Sequence, residues 1–208
     1  MHSAEPHREG ILSKHRLEGL SDGVFSVVLT LLVLELKPEH LVPHASNDEI
    51  WAALGELRRP LIGYAITFAL AGMFWILQHR KFSLLTHSTT RHAWFTLLFL
   101  FWVSLLPFSV SFWVRTMDRL PGLIIYYGNM TLIAAALLIG WLDAQHSGLA
   151  AEAPAAARRP LTFRISAMAL GCGLAAVVSC YAPQYSSFAL LAVVVASRLW
   201  LRKLAKHA

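Results

Sequence analysis

The 208-residue chain is 56% hydrophobic and only 14% charged, and its mean hydropathy is +0.54. These values exclude a soluble domain of average composition and leave an integral membrane protein. The net charge of +6 resides between apolar blocks, so it reads as flank anchoring and orientation, and no nucleic-acid partner is expected.

Six membrane spans are predicted in an all-α chain, at about 16–36, 60–78, 92–114, 121–142, 161–181 and 185–201, forming one domain over 1–208. Residues 1–15 are polar and mixed in charge, and the apolar block that follows is too long for a signal-peptide core, so no cleavable leader is expected. The first span starts at Arg16, passes through Leu20-Ser21-Asp22-Gly23, and continues as an almost unbroken apolar run from Val24 to Leu34. Roughly 20 residues at about 1.5 Å each cross a hydrocarbon core of about 30 Å. Ser21, Asp22, Ser26, Thr30 and Glu35 interrupt the run. Polar groups in lipid are costly unless they face protein or water, so this helix is a candidate to line a wet path. Glu35 reads equally as a cation-concentrating group at one mouth or as an interface marker.

Between the first two spans, Ser46-x-x-Glu49 has the form of a capping box, and Ile50, Trp51, Leu54 and Leu57 share one helical face. A short interfacial helix is predicted there. The second span ends in His79-Arg80-Lys81, and Pro107 in the third predicts a kink or loosened hydrogen bonding. A short turn over 115–120 leads to the fourth span, where Asn129 is placed for an interhelical hydrogen bond. The stretch 143–160 reads as a polar, alanine-rich linker. In the fifth span Ala167, Gly171, Ala175 and Ser179 recur every four residues, a stripe that allows close helix approach in lipid. Cys172 and Cys180 stand about 12 Å apart along that helix, too far to bridge within one chain.

With both termini on the cytoplasmic side, 13 of the 18 Lys and Arg residues fall inside and five outside. The positive-inside rule selects that orientation. It puts Arg16 and Asp22 near the inner mouth of the first span and Glu35 near its outer end.

On a 3.6-residue period Val27, Leu31 and Leu34 share a face of the first span, with Thr30 alongside. One reading makes them helix-packing residues. The other surrounds an axis with copies of this helix, so that the three form stacked apolar rings, which gate by dewetting and make an ion shed part of its water. A weakly hydrated cation such as potassium loses least there. No Thr-Val-Gly-Tyr-Gly run occurs in the chain, so a carbonyl-lined filter of the usual kind is excluded.

The pattern Arg16-x-x-x-Leu20-Ser21-Asp22-Gly23, followed by Thr30-Leu31-Leu32-Val33-Leu34, resembles the first-helix signature of the bacterial branch of the transmembrane protein 175 potassium channels. That signature reads Arg-x-x-x-Phe-Ser-Asp, with Leu20 here in place of Phe. Trp75-x-x-Gln78-His79-x-x-Phe82 is similar to the family's Trp-x-x-His-His-x-x-Phe, with Gln78 replacing the first histidine, and Leu106-Pro107-Phe108 extends the likeness. The resemblance implies a homotetramer of six-helix subunits in the bacterial inner membrane, with first helices lining a central pore. It implies potassium as the permeant ion and no cofactor or resident metal. Val27, Leu31 and Leu34 match the family's hydrophobic constriction, and Thr30 a hydroxyl position linked to potassium preference. Val27 is smaller than the Ile or Leu usual there, which implies a wider constriction. Arg16, Ser21, Asp22, Trp75 and His79 match a network that fixes the rotation of the pore helix, and losing one partner of a buried charge costs about 3–5 kcal/mol.

Two other classes bear on the same chain. A secondary transporter of a small cation or solute calls for repeated halves or broken helices around a midplane site, and only Pro107 hints at a break. An intramembrane enzyme calls for a nucleophile with a base, and neither cysteine has a histidine near it in sequence.

Overall fold

A computed structural model of the chain describes residues 11–37, 44–116, 119–186, 190, 192 and 195. Seven α-helices are described: α1 Lys14–Leu31, α2 Asn47–Glu56, α3 Arg58–Ser83, α4 Thr90–Ser104, α5 Leu106–Arg115, α6 Leu120–His146 and α7 Ala155–Tyr181. Five segments among the described residues are long and apolar enough to cross a membrane: α1 with the turn after it, α2–α3 taken together, α4–α5, α6 and α7. Most of the sixth predicted span, 185–201, lies outside the described residues.

The centre of the bundle is α6, the most buried of the candidate spans, apolar around most of its circumference. Tyr126, Tyr127, Met130, Ile133, Leu137 and Trp141 are all essentially inaccessible, and α6 packs most extensively on α7, then on α4 and α5. Small residues let the partners close in. Ala167, Gly171, Ala175 and Ser179 of α7 are all buried. At Gly122, a Cβ would stand 3.3 Å from the Trp113 backbone and collide with the Thr116 hydroxyl, so the α5–α6 turn requires glycine there. Asn129 Nδ2 donates to Ser109 Oγ across α5 and α6 at 3.1 Å, the interhelical bond expected of it.

The helix break at Pro107 is real: α4 stops at Ser104, Leu105 forms a turn, and Pro107 sits in the first turn of α5. There its missing N–H is one of the unpaired donors of a helix start in any case. The capping box also forms, with the Glu49 amide donating to Ser46 Oγ and the Ser46 amide to Glu49 Oε2. The apolar side of α2 remains exposed at Ile50, Trp51 and Leu54. By contrast, the predicted linker 143–160 shrinks to a turn over 147–154, because α6 continues to His146 and α7 begins at Ala155. Alanine is the strongest helix former, and Pro160 is accommodated near the start of α7.

One end of the bundle is tied together. Ile11–Leu12 (β1) pairs antiparallel with Ser88–Thr89 (β2), the Lys14 ammonium donates to the Leu85 carbonyl at 2.9 Å, and the Thr86 amide donates to the Leu149 carbonyl at 3.1 Å. The start of α1, the α3–α4 turn and the α6–α7 connection therefore share one side.

Candidate pore-lining helix

The helix α1 has two unlike faces. Leu17, Ser21, Phe25 and Val28 are buried, and Leu32 in the following 3₁₀ turn continues their line. Phe25 anchors this stripe against Phe99 of α4, ring centre to ring centre 5.9 Å. The opposite face is left exposed by the described residues. Val27 is 56% exposed, Leu34 54% and Leu31 41%, and Ser26 and Thr30 are exposed with them. At about 100° per residue, Thr30 and Gly23 lie almost diametrically opposite the buried stripe and Val27 lies near them. Leu31 sits at the margin of the uncovered face, beside Leu20. Gly23, one turn before Val27 and the last residue of the Arg16–Gly23 pattern, leaves open space on the same line.

The hydroxyls on this face are turned onto their own helix. Ser26 Oγ donates to the Asp22 carbonyl at 2.8 Å, and Thr30 Oγ1 lies 3.0 Å from the Ser26 carbonyl and 2.8 Å from that of Val27. A hydroxyl that spends its proton on the backbone presents only lone pairs outward. Such oxygens suit a cation.

The proposed network residues are only partly brought together. Trp75 Nε1 donates to Asp22 Oδ1 at 2.8 Å, joining α3 to α1. His79 stacks on Trp75 with ring centres 5.9 Å apart, and its Nδ1 lies 3.3 Å from Glu18 Oε1. Glu18, one turn before Asp22, thus joins the cluster although the motif reading passed over it. Ser21 Oγ bonds instead to the Leu17 carbonyl within α1. Arg16 is exposed, and among the described residues no hydrogen bond or ion pair joins it to Ser21, Asp22, Trp75 or His79. The side chain of Glu35 lies outside the described ones.

Asp22 is likewise exposed in the single chain, so the cost of a fully buried lone charge does not apply to it there. Trp75→Phe, which removes the donor together with part of the ring that stacks on His79, is expected to lower stability by roughly 1.5–3 kcal/mol, the value of a hydrogen bond to a charged group. Thermal unfolding of the purified protein checks this, and an unchanged midpoint would show that the bond does not hold α1 to α3.

Residues 16–107, from α1 into the first turn of α5, match the sequence profile of the family described as endosomal/lysosomal potassium channel TMEM175. The matching family is TMEM175. A potassium channel of Chryseobacterium sp. (strain P1-3) is 32% identical over 124 residues, covering 60% of each chain. The rat endosomal/lysosomal proton channel TMEM175 is 31% identical over 116 residues, covering 52% of this chain and 23% of its own. The chain thus spans well under the full length of the curated relatives it matches. Among solved structures, a lysosomal potassium-selective channel TMEM175 homolog from Chamaesiphon minutus superimposes with a TM-score of 0.70 at 21% identity, covering 89% of this chain and 96% of that one. At that identity the likeness establishes the fold: this chain has the helical arrangement of a TMEM175 channel. The matched segment contains α1, the Trp75–His79 stretch and Pro107, the same stretches that carry the sequence signature.

Proposed function

We propose that this chain is a subunit of a homotetrameric, potassium-preferring cation channel, with ions passing along an axis surrounded by four α1 helices. The observation that carries the reading is the uncovered face of α1, where Val27 and Leu34 alternate with Ser26 and Thr30. A face turned to lipid has no use for two hydroxyls and a carboxylate one turn below them. A face turned to a narrow aqueous axis does: the apolar side chains set the constriction, and the hydroxyl oxygens lower the cost of partial dehydration. Here Val27, Leu31 and Leu34 form the constriction and Thr30 biases it toward potassium.

The sidedness of the bundle supports a bacterial inner-membrane protein with its Lys14 end in the cytoplasm. Lys14, Arg16, Arg80 and Arg91 belong to that end by sequence, and Arg158 and Arg159 follow the α6–α7 connection that shares it. Such a bias matches the positive-inside rule. The relatives are named for two different ions, potassium and protons, so the deciding experiment must separate them. Purified protein in liposomes is expected to pass potassium down its gradient rapidly and without coupling, sodium more slowly, and to dissipate a pH gradient least. Slow, saturable flux coupled to protons or sodium would replace this reading with a secondary transporter.

A further inference from the structure

Where α3 meets α4 and α6, a lysine is buried without an anion. Lys81, in the last turn of α3, is 1% exposed and forms no hydrogen bond or ion pair with any described residue. Its ammonium lies 5.4 Å from the centre of the Phe82 ring. It reaches α6 where Gly140 carries no side chain: a Cβ there would stand 3.5 Å from Lys81 Nζ and 3.3 Å from Phe95 Cβ. Three more polar side chains belong to the same contact. Gln78 precedes Lys81 by one turn, and neither atom of its amide has a partner. His92 meets the Phe82 ring edge-on at 6.3 Å and lies within electrostatic reach of Lys81, and neither ring nitrogen is bonded. Thr96 follows His92 by one turn, its hydroxyl oxygen also without a partner. Gln78, His92 and Thr96 are all essentially inaccessible.

The one carboxylate among the described buried residues is Asp143, one turn beyond Gly140. It is engaged by Arg91, whose Nη2 lies 2.6 Å from Asp143 Oδ1. Asp143 Oδ2 has no hydrogen-bond partner, yet among the described residues no ion pair joins this carboxylate to Lys81, and its charge is matched by Arg91. Water would satisfy the dipoles of Gln78 and Thr96 but would not neutralise a buried ammonium, which is costly when unpaired. We propose that this contact binds a small inorganic monovalent anion of the size of chloride, with Lys81 as its charge partner and Gln78, His92 and Thr96 as hydrogen-bond donors. The near-complete burial of Lys81 excludes a lipid headgroup. The anion links three helices of which two, α3 and α4, seat α1.

The test uses the full chain in detergent, unfolded thermally in potassium chloride, potassium bromide or potassium gluconate at equal ionic strength. The midpoint is expected to be higher in both halides, by roughly 3–5 °C for each tenfold rise in halide above its dissociation constant. Lys81→Met is expected to abolish the difference, while Arg80→Met at the exposed neighbouring position keeps it. Gln78→Leu, which leaves the lysine in place, is expected to weaken the apparent halide affinity about tenfold. Crystals grown in bromide are expected to show its anomalous signal beside Lys81 Nζ. Equal midpoints in chloride and gluconate, or a halide effect that survives both Lys81→Met and Gln78→Leu, would overturn the proposal. None of these readouts depends on ion flux.

Discussion

Val27→Asn is expected to erase the preference for potassium over sodium, and to do so more completely than Leu31→Asn. An apolar ring excludes the more strongly hydrated ion, sodium, by making it shed water without replacement, and an amide at the same height restores both water and an oxygen ligand. A barrier change of about 1.4 kcal/mol already alters a rate tenfold, so sodium flux through the Val27→Asn channel is expected to rise at least about tenfold. The order of the two substitutions comes from the geometry of α1. Val27 lies close to the middle of the uncovered face, next to Thr30, whereas Leu31 lies at its margin and is the least exposed of the three apolar residues. Liposome flux with potassium or sodium gradients measures both. Leu170→Asn supplies the comparison, since Leu170 is 71% exposed on α7 and lies on another helix. If it changes the ion ratio as much as Val27→Asn does, α1 does not line the path. A larger effect at Leu31 would mean that α1 is rotated in the assembly so that its margin faces the axis.

The contrast between those residues could not be drawn from the sequence. In a membrane helix both the lipid-facing and the protein-facing residues are apolar, so the 3.6 period grouped Val27, Leu31 and Leu34 without saying what covered them. The polar interruptions were more informative. Asp22 and Trp75 carried a recognisable pattern and are bonded in the structure, yet Arg16 of the same pattern stands apart, because one helix cannot direct residues six apart to the same partner. Pro107 marked its helix break directly, since a missing N–H acts wherever proline falls. Alanine gave no such mark in 143–160, where Ala155–Ala157 open α7 while Ala150, Ala151 and Ala153 stay in the turn between the helices. Lys81 was hidden for another reason. Beside Arg80 it reads as an interfacial anchor, but α3 continues to Ser83 rather than stopping near Gln78. The added turn keeps Lys81 on the same buried face as Gln78 and Phe74.

Phe25→Ala is expected to cost about 3 kcal/mol and to lower the unfolding midpoint by roughly 6–12 °C. Phe25 is 1% exposed and lies between α1 and the Phe99 ring, which is wholly inaccessible. Truncation empties a ring-sized volume that Val28 and Leu32 on the same helix are too short to fill. In a bilayer the transfer part of such a loss is smaller than in water, because lipid is as apolar as the core. The lost van der Waals contacts remain. The expected value therefore sits at the low end of the range for Phe→Ala in soluble cores. Phe25→Leu, which keeps most of the volume, is expected to cost less than about 1.5 kcal/mol. Thermal unfolding gives both values, and ion flux adds a second reading. If the buried stripe sets the rotation of α1, Phe25→Ala also broadens the ion preference without touching the uncovered face. A lowered midpoint with an unchanged potassium-to-sodium ratio would assign Phe25 to stability alone and leave the rotation of α1 to the Asp22–Trp75 bond. An unchanged midpoint would show that α1 is not seated through this stripe.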